Sequence, residues 1–120
     1  MSQHIFEQSI NDRRYEIIMG WDKPLQCYYG VILGWIEDDE FEEGGYFNDV
    51  IWSGMRRPND LSLETMALTI TNHGFTLPDG FLDHIKQDRQ RNAVNETTHY
   101  DPQPPRYSEN HTPDDTPPQP

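Results

Sequence analysis

Residues 61–70 read LSLETMALTI, and the spacing of the apolar side chains in this stretch decides the fold class. Four of them recur at i, i+3, i+4 and i+7, namely Leu63, Met66, Ala67 and Ile70. This is the stripe that an amphipathic helix buries. We expect Asp60 or Ser62 to cap the start of the helix and Gly74 to end it. The sequence therefore predicts a helix packed on a core.

A second helix is predicted directly downstream. Pro78 suits the first turn of a helix, and Asp79 suits the positive end of its dipole. Basic residues follow near the other end, at Lys86, Arg89 and Arg91. We expect its buried face to consist of Phe81, Leu82 and Ile85.

Upstream of residue 61 the apolar pattern has a period of two, which is typical of strands. Four such segments are predicted, at about residues 4–10, 15–21, 26–36 and 46–52. Asn11-Asp12 and Asp22-Lys23-Pro24 supply turn chemistry between the first three, and residues 53–59 are expected to form a loop. In the third segment, Gly30 and Gly34 share a face, where they could admit a bulge or the close packing of a helix or an aromatic ring.

The order of four strands followed by two helices predicts an α+β fold: a four-stranded antiparallel meander with both helices on one face. This domain is expected to span residues 1–92. Apolar residues nearly vanish beyond it, and seven of the ten prolines lie between Pro102 and Pro120. Residues 93–120 are therefore predicted to be a disordered, proline-rich acidic tail.

Composition limits the partners of the chain. The formal net charge is −12, which disfavours direct binding to nucleic acid or to an anionic membrane and favours a protein partner with a basic surface. The start of the chain has neither a basic nor an apolar run typical of an export signal. Cys27 is the single cysteine, so no internal disulfide can form. We expect a cytoplasmic protein.

An acidic run is the most conspicuous local feature, and it holds six carboxylates: Glu37, Asp38, Asp39, Glu40, Glu42 and Glu43. Phe41 interrupts the run, and Gly44-Gly45 ends it. A calcium loop of the EF-hand type needs alternating ligands around a central glycine, and this run has its glycines only after the last acid. The run is predicted to be a solvated hairpin connection that, with Phe41 and Tyr46, forms a partner-binding surface.

Other chemistry finds little support in the pattern. The five histidines show no zinc-ligand spacing, and no glycine-rich loop precedes a helix with the lysine that a phosphate site needs. Asp22 and Asp49 are candidates for a carboxylate pair, but Asp22 suits its turn and Asp49 the exposed side of the fourth strand. Cys27 is expected to behave as a small buried hydrophobe. No cofactor, metal site or catalytic residue is predicted.

Two segments carry a resemblance: Gly20–Gln26, reading GWDKPLQ and followed by an aromatic pair, and Leu77–Gly80, reading LPDG, with Asp88 and Asn92 downstream. Across about residues 4–95 the chain resembles a group of small uncharacterised bacterial proteins often encoded on mobile genetic elements. The resemblance implies a cytoplasmic bacterial or phage setting. It implies no activity, so it assigns no functional residue.

These observations favour a non-enzymatic interaction protein, possible roles being an accessory protein, an inhibitor or a nucleic-acid mimic, that uses its acidic hairpin against a basic partner. Two alternatives stay open. One is a small metal-assisted hydrolase built on the same acids, and the other is an adaptor that is recognised through its proline-rich tail.

Overall fold

The computed structural model describes residues 1–58 and 61–107, which form seven regular elements. The four strands of the first half are β1 (Ser2–Ile10), β2 (Arg13–Asp22), β3 (Cys27–Glu37) and β4 (Gly45–Arg56). They are followed by α1 (Ser62–Asn72), α2 (Phe81–Arg91) and β5 (Glu96–His99).

The sheet has five strands in the order β4-β3-β2-β1-β5. The first four form the predicted antiparallel meander. β5 pairs with β1 in parallel, so the sheet is mixed. The predicted α+β class is confirmed, whereas the prediction of a purely antiparallel, four-stranded sheet is wrong by one strand.

The chain beyond residue 93 differs most from expectation. After β5 it continues along β1, where the backbone N–H groups of Tyr100, Gln103 and Arg106 each donate to a β1 carbonyl at 2.9 Å. We call residues 96–107 the C-terminal strap. The prediction of disorder is wrong for it, because main-chain hydrogen bonds to an open sheet edge do not require apolar side chains. Residues 108–120, the remainder of the predicted tail, lie outside the described residues.

Both helices cover the same face of the sheet. The core on this face joins four residues of α1 and α2 to the strands: Leu63, Met66, Ile70 and Ile85 are all at most 2% exposed, beside Ile17 and Ile32. Gly30 makes this packing possible, since a Cβ there would lie 3.1 Å from the Met66 methyl carbon. The Trp52 ring would lie equally close to that Cβ, at 3.1 Å, so a helix and an aromatic ring both approach Gly30.

The element boundaries show which local signals were reliable. The His73 Nδ1–H donates to the Thr69 carbonyl oxygen at 2.9 Å, and Gly74 has φ +104°, so α1 ends as predicted. α1 starts at Ser62, with Leu61 as its N-cap residue, and the predicted cap Asp60 lies outside the described residues. β4 extends to Arg56, through part of the predicted loop, because its last residues pair with β3.

A chain that ends at Asn95 should be less stable than one that ends at Tyr107. The shorter chain loses β5 and four main-chain hydrogen bonds between the strap and the β1 region, each worth about 0.5–1.5 kcal/mol. We expect a loss of at least about 2 kcal/mol in the free energy of unfolding, measured by urea denaturation. The chain ending at Tyr107 is the control, and equal stabilities would contradict the role of the strap.

Candidate interaction surface

The acidic run forms the connection between β3 and β4, as predicted. Its ends are joined by a hydrogen bond from the Asp38 N–H to the Gly44 carbonyl oxygen at 2.8 Å, and the Gly44 N–H donates to Phe41 at 2.9 Å. The Asp38 carboxylate also accepts the Glu40 N–H at 3.0 Å. Gly44 has φ +84°, a conformation that glycine adopts without strain. The chain therefore turns tightly and directs its acids outward.

We call residues 37–43 the acidic hairpin. Five of its six carboxylates are exposed and Asp38 is half-buried. Among the residues that the structure describes, none of the six forms an ion pair with a basic side chain. Phe41 is 47% exposed, and its ring lies 4.6 Å from that of Tyr46, centroid to centroid. The structure thus brings together the eight residues of the predicted surface.

The other aromatics that flank the run do not join this surface. Tyr28 is 2% exposed and packs in the core, 5.5 Å from the Trp21 ring. Phe47 is half-buried against Trp35, with the ring centroids 4.9 Å apart. An exposed aromatic patch is therefore limited to Phe41 and the partly exposed Tyr46.

The sheet face opposite the helices, which we call the open face, borders the acidic hairpin. Apolar side chains follow one another across its strands, namely Ile5, Ile18, Val31, Leu33, Val50 and Met55. At the outer strand Val50 is 57% exposed and Met55 is 51% exposed. Exposed apolar side chains beside a charged rim are a common composition for a protein interface.

Arg14 links the open face to the base of the acidic hairpin. Its guanidinium lies 4.1 Å from the Trp35 ring centroid and 5.2 Å from that of Phe47. It also donates to both carboxylate oxygens of Glu7, at 2.6 and 3.0 Å. These hydrogen bonds raise the pKa of Arg14. The charge of Glu43, at the end of the acidic hairpin, adds a smaller effect in the same direction, but the hydrogen-bond partner of Arg14 is Glu7.

On the open face, Glu16 lies in a position that is unfavourable for its negative charge. It lies directly opposite Glu7 in the β1–β2 ladder, and like charges in that arrangement repel. Burial raises the pKa of Glu16, and the charge of Glu7 raises it further, against a smaller opposite effect of His99. The folded protein therefore favours the protonated form of this carboxyl.

The Glu16→Gln variant should be more stable than the wild type at pH 7. A carboxyl with a raised folded-state pKa opposes folding once it ionises, so the stability of the wild type falls as the pH rises through that pKa. We expect a gain of about 0.2–1 kcal/mol from thermal unfolding at pH 7, and a smaller gain at pH 4. An equal gain at both pH values would contradict this origin.

A buried polar cluster joins β1, α2 and the strap on the helix side of the sheet. His4 is 3% exposed and Asp88 is 4% exposed, and the His4 Nε2 lies 2.5 Å from a carboxylate oxygen of Asp88. The other ring nitrogen of His4 lies 2.8 Å from the Tyr100 hydroxyl, which also contacts His84 at 2.8 Å. Both ring nitrogens of His4 are therefore hydrogen-bonded within the protein. Through them the cluster connects β1, α2 and the strap.

The protonation states in this cluster follow from its surroundings. Burial raises the pKa of Asp88, but hydrogen bonds from His4, Ser2 and Arg91 outweigh it and hold the pKa below its ordinary value. Asp88 is therefore ionised at neutral pH, and the His4 Nε2 is the donor to it. Burial raises the pKa of Tyr100 to about 12, so its hydroxyl keeps its proton.

The Asp88→Asn variant should lose stability at pH 7, because His4 loses its charged acceptor. A lowered folded-state pKa stabilises the protein above the ordinary value of 3.8, and this contribution disappears as the pH falls through the folded-state pKa. We expect a deficit of about 1–3 kcal/mol at pH 7 that shrinks towards pH 3, measured by urea denaturation. The exposed Asp101→Asn is the control, and a deficit independent of pH would contradict the electrostatic explanation.

The sequence did not single out this cluster for function, because His4 and Asp88 are 84 positions apart and have no ligand spacing. The signal that it does contain is positional: His4 lies on the buried side of β1, and Asp88 follows Ile85 by three residues on the buried side of α2. Periodicity places both inside, but pairing them requires the fold.

The remaining sequence candidates have structural roles. The Asp22 carboxylate accepts the Leu25 N–H at 3.3 Å within its turn, and Asp49 forms an ion pair with Arg13 at 2.9 Å. Cys27 is buried, which raises the pKa of its thiol.

Within residues 1–58 and 61–107, no three His, Cys, Asp or Glu side chains converge as metal ligands would. Neither helix described is long and apolar enough to cross a membrane. Comparison with family models, curated proteins and solved structures finds no match to this chain.

Proposed function

We propose that this chain is a non-enzymatic interaction protein that binds a basic protein partner through its acidic hairpin. The observation that carries the proposal is that none of the six hairpin carboxylates forms an ion pair with a described basic side chain. Nearby basic side chains form ion pairs with other acids instead, as Arg14 does with Glu7. The hairpin therefore offers its charge to a second molecule.

Charge that is concentrated on one loop speeds the association with a partner and fixes the partner's orientation. Six like charges within seven residues produce a local negative potential, and a complementary basic surface is steered to it before contact. A protein that normally binds nucleic acid presents such a surface, and the carboxylates would then take the place of phosphates.

The apolar part of the surface supplies affinity that charge alone does not. Exposed ion pairs contribute little each, because water and salt screen them, whereas an aromatic side chain that is buried on binding contributes more. Phe41 lies within the acidic hairpin and is held against Tyr46. We therefore expect Phe41 to be the apolar anchor, with the carboxylates around it as a charged rim.

A hairpin variant with Glu37→Gln, Asp39→Asn and Glu40→Gln tests the proposal. Wild type and variant are used to capture proteins from a lysate of the native host, and the affinity of the partner identified is then measured by calorimetry. We expect a basic protein whose binding weakens with salt and whose dissociation constant rises roughly 3- to 150-fold in the variant, from three exposed charge contacts.

The matched control removes the same number of charges from exposed acids elsewhere, with Asp79→Asn, Asp83→Asn and Asp101→Asn. We expect its affinity to stay within about twofold of the wild type, since the shared long-range term is small at physiological salt. A partner that binds the hairpin variant as tightly as the control, or that binds independently of salt, would refute the proposal.

A further inference from the structure

β4 is a long strand at the edge of the sheet. It has twelve residues, about twice the usual strand length, and no described strand pairs with its outer side. The opposite edge differs, because the strap covers β1 there. Three apolar residues of β4 are exposed by 40–57%, namely Val50, Ile51 and Met55. An edge of this kind offers backbone hydrogen-bonding groups to another strand.

The two ends of β4 carry opposite charges. Glu42 and Glu43 lie just before its first residue, and Arg56 and Arg57 lie at its end. All four are exposed, and none of them forms an ion pair among the residues that the structure describes. An antiparallel partner strand therefore matches β4 only if it is acidic where it lies beside Arg56 and Arg57 and basic where it lies beside Glu42 and Glu43.

We infer that this partner is β4 of a second copy of the chain. Antiparallel pairing across a twofold axis places the acidic start of each β4 near the basic end of the other. When Trp52 lies on the axis, Gly45 of one copy is opposite Arg57 of its partner, and Glu42 and Glu43 lie just beyond the two arginines. The two five-stranded sheets then continue into one another. Such an interface is self-complementary, which is the arrangement that closes into a dimer.

The side-chain pattern of β4 is compatible with a register centred on Trp52. Two bulges leave Asn48 and Ile51 without partners in β3, and the remaining nine positions from Tyr46 to Arg56 are symmetric about Trp52. In a Trp52-centred pair, residues that meet also point to the same face, as cross-strand neighbours must. Three such pairs are Tyr46 with Arg56, Phe47 with Met55, and Val50 with Ser53.

Both bulges of β4 lie before Trp52, so in this register the bulged half of one copy lies opposite the unbulged residues 53–56 of the other. β3 already pairs in this way with the bulged half of β4 on its inner side. The bulges are therefore compatible with pairing at the outer edge. The register also places Arg56 beside the Tyr46 ring of the second copy and Met55 beside its Phe47 ring, which are cation–π and sulfur–aromatic neighbours.

A cavity at the basic end of β4 fits the same arrangement. It has a volume of about 460 Å³ and lies between the end of β4 and the start of α1, lined by Met55, Arg56, Arg57, Leu61, Ser62 and Thr65. Pairing brings the acidic hairpin of the second copy to this end.

The oligomeric state of the full chain tests the inference. Sedimentation equilibrium should give about twice the chain mass of 14.1 kDa, and added salt should weaken the dimer. Arg56→Glu with Arg57→Glu, and separately Glu42→Arg with Glu43→Arg, should each be monomeric. Because each swap opposes like charges at both ends of the interface, we expect dimerisation to weaken by more than about a hundredfold.

Mixing the two swapped variants restores opposite charges at both ends, so the mixture should form a heterodimer. The control variant Lys23→Glu with Arg89→Glu makes the same change in net charge as the arginine swap at two exposed residues outside β4, and it should remain dimeric. A monomeric wild type, a swapped variant that stays dimeric, or a mixture that stays monomeric would overturn the inference.

This test is separate from that of the proposed function. The arginine swap leaves Glu37–Glu43 intact and should still bind the basic partner, whereas the hairpin variant keeps Glu42 and Glu43 and should still dimerise.

Discussion

Burial of a single face of the sheet is the constraint on which the rest of the structure depends. The apolar fraction of the chain is 33%. Both helices pack their apolar stripes on the same face of the sheet, against Ile17 and Ile32 of the central strands. A small domain has too little apolar surface to cover both faces of a five-stranded sheet. The open face, the outer edge of β4 and the acidic hairpin are left to solvent as a consequence.

The fold was predictable where the signal is local. The stripe in LSLETMALTI identifies α1, and the period of two identifies the meander, because each pattern records which side of an element meets the core. β5 carries no such record, since all four of its residues are exposed. What holds it is the backbone of β1, and hydrogen bonding between main chains leaves no trace in composition.

The same distinction applies to the surface. The acidic hairpin could be predicted because its six acids are consecutive in sequence and two glycines mark its end. The Arg14 stack on Trp35 could not, because it requires the register of β2 against β3 and β4. The His4–Asp88 pair requires the packing of α2 on β1. Interactions between distant residues become visible only once the topology is known.

These parts combine into a protein with one structural and one exposed side. The polar cluster of His4, Asp88 and Tyr100 fastens the strap to the structural side, so the only long edge that the described residues leave open is β4. The exposed side then presents negative charge, apolar strand residues and that edge together. Its chemistry suits association, with a basic partner at the hairpin and with a second copy at the edge.

Solvent paramagnetic relaxation of methyl groups by NMR tests the one-sided burial most directly. With a soluble gadolinium chelate, the methyls of Val50, 57% exposed, should relax strongly, and those of Ile17 and Ile32, both 0% exposed, should be protected. Strong relaxation of Ile17 and Ile32, or protection of Val50 equal to theirs, would contradict the account.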